Sequence, residues 1–480
     1  MTCFTVTALP LLLACANPSN QPGEVLELVE DDHYLAGEVQ VKERAYPYLL
    51  LPPLEVVEGE EYPLVLFLHG AGERGSDNER QKGHFPDRMA GEWYRERFPC
   101  YVLAPQCPKR VKWADVDYGT PKNKPEPSDP MRAAIAALGE VVRDHPIDTD
   151  RMMLTGLSMG GYGTFDLAAR HPDWFAAAAA VCGGASERLV PRYAGLPMHV
   201  WHGDADRVIS VERSRVMVNG MKELGLEVYY TEVPGVGHNS WEQAYGKDGC
   251  IDELFKERRN PMKIQQATAK LLADVIAPDE RVAFLGDSIT QAGNNSGGYV
   301  DLVRSVLKKE KPESVVIPAG ISGHKVPDLL ARFKRDVMDK KATLVFIYIG
   351  INDVWHSTSG NGTSAEDFEA GLHTLIQDLR ASGADVVLAT PSVIGEKPHG
   401  ENSLDGLLTE YAAISREVAA AEGVVLCDLQ RAFHEHLEVF NPENKDKGIL
   451  TSDGVHLNAA GNVFLATESA RALREAVLAR

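Results

Sequence analysis

Two serines in this chain sit where a hydroxyl can be made into a nucleophile. Ser158 lies in Gly156-Leu157-Ser158-Met159-Gly160, and Ser288 in Gly286-Asp287-Ser288. A hydroxyl is a poor nucleophile until a base removes its proton, so each serine needs a histidine within hydrogen-bond reach. A carboxylate must then hold that imidazole in the right tautomer. Candidates for both roles follow each serine. For Ser158 they are Asp206, in His202-Gly203-Asp204-Ala205-Asp206, and His238, in Pro234-Gly235-Val236-Gly237-His238, with Asp204 as a rival acid. For Ser288 they are Asp453 and His456, in Ser452-Asp453-Gly454-Val455-His456-Leu457. The reaction such groups perform is acyl transfer through a serine ester, and it needs no cofactor.

These residues must be held by an α/β framework. The runs 62–68, 101–104, 151–155, 175–181, 198–201 and 228–233 are short and apolar, with helical spacing over 131–142 and 211–224. Helices alternating with apolar strands predict a mostly parallel, doubly wound sheet covered on both faces. Segment 276–280 reads as a short linker, after which strands are expected at 281–285, 314–317, 343–349, 385–390 and 424–429. Long amphipathic helices are expected over 365–381 and 404–422. The chain therefore divides into α/β domains over residues 24–275 and 279–480. The polar loop 117–129 reads as a surface loop near an active-site rim.

Composition narrows the partners. The chain has 480 residues, 25% of them charged, with 49 Lys plus Arg against 69 Asp plus Glu. A net charge of −20 repels phosphate backbones, which argues against nucleic acid as a partner. Residues 1–14 are uncharged and rise to Leu11-Leu12-Leu13, then give Ala14-Cys15 and a polar stretch. This resembles a bacterial lipoprotein signal, although no Lys or Arg marks its start. It implies export to the periplasm, with membrane attachment through a lipidated Cys15. Cys100, Cys107, Cys182, Cys250 and Cys427 show no CxxC spacing, so a thiolate zinc site is not expected.

The order Ser158, Asp206, His238 at strand ends resembles the α/β-hydrolase fold, and most closely its dienelactone hydrolase and feruloyl or acetyl esterase group. The resemblance covers residues 45–260 and includes His69-Gly70-Ala71-Gly72-Glu73 as the oxyanion loop. It implies Asp206 over Asp204 as the acid, because His-Gly-x-x-Asp is that group's spacing. It also implies that the backbone N–H groups of Ala71 and Met159 hold the oxyanion. Residues 281–475 resemble the SGNH (GDSL) hydrolases through four blocks in order: Gly286-Asp287-Ser288, Ala319-Gly320, Gly350-Ile351-Asn352-Asp353 and Asp453-Gly454-Val455-His456. That resemblance implies a flavodoxin-like α/β/α domain with Ser288 as nucleophile, His456 as base and Asp453 as its orienter. The oxyanion hole would combine the N–H groups of Ser288 and Gly320 with the Asn352 amide. Pro318 departs from the family pattern, where Asn is usual.

Two esterase-like modules on one chain imply a shared esterified polymer, such as plant cell-wall polysaccharide with acetyl or feruloyl decorations, or a small ester. The alternatives are peptidase or lipid-ester chemistry in one domain, or an inactive carbohydrate-binding module. Trp113 and Trp241 are candidates to stack on a sugar or aromatic acyl group, the alternative for each being a place in the core. Gly156 to Gly163 lacks the Lys-Ser/Thr ending of a phosphate-cradling loop. The histidines of His434-Glu435-His436 read as solvated rather than as metal ligands.

Overall fold

The computed structural model describes residues 33–116, 123–124 and 126–480. The leader expected over residues 1–14, Cys15 and part of the 117–129 loop lie outside them. The described strands form two sheets, one in each half of the chain.

The first sheet contains β1 (Leu35–Val41), β2 (Arg44–Leu51), β3 (Tyr62–Leu68), β4 (Tyr101–Pro105), β5 (Ile147–Leu157), β6 (Ala177–Val181), β7 (Met198–Gly203) and β8 (Val228–Val233), in the order β1-β2-β4-β3-β5-β6-β7-β8. β1 and β2 form an antiparallel hairpin, β2 is antiparallel to β4, and the rest run parallel. Every residue of β3 is buried, as its unbroken apolar run requires. The hairpin escaped the sequence reading because Glu38, Gln40 and Arg44 break its apolar pattern at the sheet edge. β6 is four alanines and a valine, a poor strand composition by propensity. Small side chains there suit close packing of the helix Met159–Arg170, where a Cβ on Gly161 would lie 2.4 Å from the Val181 carbonyl oxygen.

The second sheet contains β9 (Arg281–Gly286), β10 (Val315–Gly320), β11 (Leu344–Tyr348), β12 (Asp385–Ala389) and β13 (Val425–Cys427), in the order β10-β9-β11-β12-β13. All its pairings are parallel. This is the 2-1-3-4-5 order of doubly wound sheets, which open a crevice at the strand C-termini where the order reverses. Ser288 follows β9, Gly320 ends β10 and Asn352 follows β11, so the topology gathers all three at that crevice. Pro318 is exposed on edge strand β10, where a missing N–H breaks no central ladder.

The helix Pro261–Val275 precedes the boundary read from sequence, yet Ala269, Leu272 and Ala273 join the core of the second sheet. In the other direction, Val439 of the helix Leu429–Phe440 joins a core of the first domain. A Cβ on Gly139 would lie 3.0 Å from the Glu438 carbonyl oxygen, so the two helices meet backbone to backbone. The segment read as a linker is also anchored. Glu280 is buried and accepts N–H groups of Arg480, each at 2.9 Å.

Candidate active sites

Ser158 follows β5 with φ 56° and ψ −115°, a left-handed conformation that a non-glycine residue adopts only when its surroundings enforce it. The glycines enforce it. A Cβ on Gly160 would lie 1.7 Å from the Leu68 carbonyl oxygen, and one on Gly156 would lie 2.5 Å from that of Gly160. The turn directs Ser158 Oγ to His238 Nε2 at 2.9 Å, and His238 Nδ1 lies 2.7 Å from Asp206 Oδ2. Asp206 Oδ1 accepts the N–H groups of Val208 and Ile209 at 2.8 and 3.0 Å. Burial pushes the Asp206 carboxyl up, but the His238 bond and these N–H groups outweigh it and hold the carboxyl below its usual range. Asp204 turns away and accepts the Gly235 N–H at 2.6 Å, so of the two carboxylates it is Asp206 that meets His238.

The two residues expected to supply oxyanion N–H groups both open an element that follows a strand. Met159 opens its helix, where the first N–H groups have no intrahelical acceptor, and Ala71 opens the exposed turn Ala71–Glu73. Trp113, a substrate-binding candidate, is instead fully buried in the core. Its indole Nε1 donates to the His69 carbonyl at 2.9 Å, so it secures the strand end that leads to Ala71. The buried His69 accepts the Cys107 N–H at Nε2, 2.9 Å, which leaves Nδ1 as the donor to the Gly70 carbonyl at 2.6 Å. Burial lowers its pKa to about 4, so the ring stays neutral. Trp241 is half-buried beside the site, with its ring 5.4 Å from that of His238 and 5.0 Å from that of His84. His84 in turn faces Glu73 at 3.6 Å.

In the second domain Ser288 begins a helix whose N-cap is Asp287. Ser288 Oγ lies 2.9 Å from His456 Nε2, and His456 Nδ1 lies 2.8 Å from Asp453 Oδ2. Asp453 Oδ1 accepts the His456 N–H at 2.7 Å and the Val455 N–H at 3.0 Å, so acid and base are fixed within one turn. Burial raises the Asp453 carboxyl, and the His456 side-chain and backbone bonds outweigh it, leaving it below its usual range. Gly320 packs so closely that a Cβ would lie 2.2 Å from the Gln291 nitrogen. Asn352 is buried and gives one of its two Nδ2 hydrogens to the His324 carbonyl at 3.0 Å.

The roles of two residues escape the sequence reading, and a third is corrected. His202 is buried behind the first site, with Nε2 3.2 Å from Asp206 Oδ2 and 3.0 Å from the Ile209 carbonyl. Both neighbours are acceptors, so Nε2 carries the proton and supports the acid from behind. Glu396 is buried and accepts the N–H groups of Ile449, Leu450 and Thr451 at 2.5–2.7 Å, together with the Thr451 hydroxyl at 2.8 Å. It thereby anchors the segment entering the Asp453–His456 turn. His436, read as solvated, is buried and stacks on Phe440 at 4.5 Å, because its helix faces the first domain. The first two were findable in principle: His202 stands in the motif already quoted, and Glu396 in the loop after β12.

A serine, an imidazole and a carboxylate in line above an α/β sheet are the groups of a serine hydrolase, and this chain carries the arrangement twice. Residues 284–463 match the family model for GDSL-like lipases and acylhydrolases, and residues 54–247 match that for phospholipases and carboxylesterases. The chain belongs to the GDSL-like lipase/acylhydrolase family, with an α/β-hydrolase domain fused ahead of that module. An acetylxylan esterase of Geobacillus stearothermophilus is 30% identical over 209 residues, which cover 40% of this chain and 92% of that protein. A rat isoamyl acetate-hydrolyzing esterase 1 homolog is 27% identical over 203 residues, covering 38% and 78%. The crystal structure of an acetyl xylan esterase is 43% identical, covers 39% of this chain and 97% of its own, and has a TM-score of 0.39.

Proposed function

We propose that both sites hydrolyse carboxylic esters independently, and that their shared substrate is a plant cell-wall polysaccharide of the xylan type bearing acetyl or feruloyl groups. The observation that carries the two-site reading is the repeated pair of distances: 2.9 Å from serine to histidine in both domains, with 2.7 and 2.8 Å from histidine to aspartate. The acetylxylan esterase relative supports the polymer and the acetyl group.

In each site the imidazole Nε2 takes the serine proton as Oγ attacks the ester carbonyl. The oxyanion forms against the Ala71 and Met159 N–H groups in the first site. In the second it forms against the N–H groups of Ser288 and Gly320 and the Asn352 amide. The imidazolium returns its proton to the leaving alcohol, and water then cleaves the serine ester by the same route. Trp241 meets the sugar or aromatic acyl group in this reading, which its half-buried position beside His238 supports. Export with lipid attachment at Cys15 completes the proposal; radiolabelled palmitate should enter the wild type and not Cys15→Ala.

The test is acetate and ferulate release from acetylated, feruloylated arabinoxylan by the wild type, Ser158→Ala and Ser288→Ala. Each variant should retain the activity of the intact site. Release of neither acid by the wild type would refute the polysaccharide reading.

A further inference from the structure

His399, Asp405 and His434 each bring one ligand atom to within 4.8 Å of the other two. His399 lies on the loop that follows β12, Asp405 opens the helix Asp405–Glu422, and His434 stands on the helix Leu429–Phe440. The two imidazole rings are 4.5 Å apart between centroids. Asp405 is buried and already oriented, its Oδ2 accepting the Gly400 N–H at 2.7 Å and the Asn402 N–H at 3.1 Å. Its Oδ1 meets the Asn402 amide at 3.3 Å, which leaves lone-pair capacity on that oxygen. Arg416, which reaches Gln430 at the base of the His434 helix, is neutralised by Asp428 at 2.9 and 2.8 Å.

We propose that these three side chains bind one divalent transition-metal ion of the zinc class. Two imidazoles and one carboxylate are a zinc donor set, whereas calcium and magnesium select oxygen ligands alone. Reaching metal–ligand lengths of about 2.0–2.2 Å requires the atoms to draw together by roughly an ångström. His399, exposed on its loop, supplies that movement.

The site has a structural consequence. Glu396, on the same loop as His399, holds residues 449–451 ahead of the Asp453–His456 turn. A metal would therefore staple to a helix the loop that anchors the catalytic turn of the second domain. The ion is a clamp in this scheme and takes no part in ester cleavage.

The experiment uses full-length, tag-free protein stripped with a chelator and then titrated calorimetrically with zinc chloride. The variants His399→Ala and His434→Ala are compared with the wild type, and melting curves are recorded with and without zinc. Cys182, Asp206 and His238 also converge, so a zinc event at the first active site would be common to all three proteins. The wild type should bind one equivalent more than either variant, and zinc should raise its melting temperature above theirs. Equal stoichiometry in all three proteins, or an extra equivalent that survives either substitution, would overturn the proposal. Melting curves without zinc that superimpose for all three show that the lost equivalent reflects lost ligands and not lost fold.

Discussion

Glu396 accepts both the backbone N–H and the side-chain hydroxyl of Thr451, and this joins the loop after β12 to the turn that carries Asp453 and His456. A buried carboxylate here satisfies several donors at once, and removing it strands them away from water. Glu396→Ala is expected to lower second-site activity at least tenfold, read in a Ser158→Ala background so that the first site is silent. Glu396→Gln should recover part of the loss, because its amide keeps one acceptor oxygen. First-site activity, read in a Ser288→Ala background, should be unchanged.

His202 does comparable work behind the first site, where its Nε2 proton is shared by Asp206 and the Ile209 carbonyl. Burial lowers its pKa, with the Ile209 and Asp206 contacts opposing, so the ring supports Asp206 as a neutral donor. A hydrogen bond to a charged group contributes about 1.5–3 kcal/mol. His202→Phe should therefore cut first-site kcat by roughly 10–100-fold, with the second site unaffected. An unchanged kcat would show that the two N–H groups on Asp206 Oδ1 hold the acid unaided.

The two acids differ in exposure, and that difference has a kinetic consequence. The Asp206 side chain is 0% exposed and that of Asp453 is 50% exposed. Water screens the exposed carboxylate, so its hold on the imidazolium is weaker. Asp206→Asn should approach the loss of about 10⁴ in kcat seen when a buried triad acid is neutralised. Asp453→Asn should cost clearly less. Equal losses would mean that the acid's role is orientation alone.

Asp287 provides a pH signature in stability. Burial raises its carboxyl to about 7, against the Ile289 N–H that it caps. Between the unfolded value of about 4 and that raised value, the folded chain holds a proton that the unfolded chain has released. Its contribution to stability therefore falls as pH rises through this window. Asp287→Asn keeps the capping oxygen without the charge. Denaturant unfolding at about pH 5 and about pH 8 should show the wild type losing more stability than the variant.

Much of this was legible in the sequence because strand-end motifs fix position through topology. Such motifs name Ser158, His238, Ser288 and His456, and the structure brings each serine within hydrogen-bond reach of its histidine. What escaped depends on contacts between distant segments. Trp113 could not be told from a substrate-stacking residue until its indole was seen bonded to the His69 carbonyl. Glu396 lies 53 to 55 residues from its partners, a separation that no local pattern records. The hairpin of β1 and β2 is hidden by the polar residues Glu38, Gln40 and Arg44, which interrupt its apolar pattern.

Two serines in this one chain are expected to be independently nucleophilic. Intact-mass analysis after exposure to an excess of a fluorophosphonate counts them directly. The wild type should gain two adducts per chain, Ser158→Ala and Ser288→Ala one each, and the double variant none. A wild type that stops at one adduct would leave one serine unreactive, and a double variant that still reacts would place the nucleophile elsewhere.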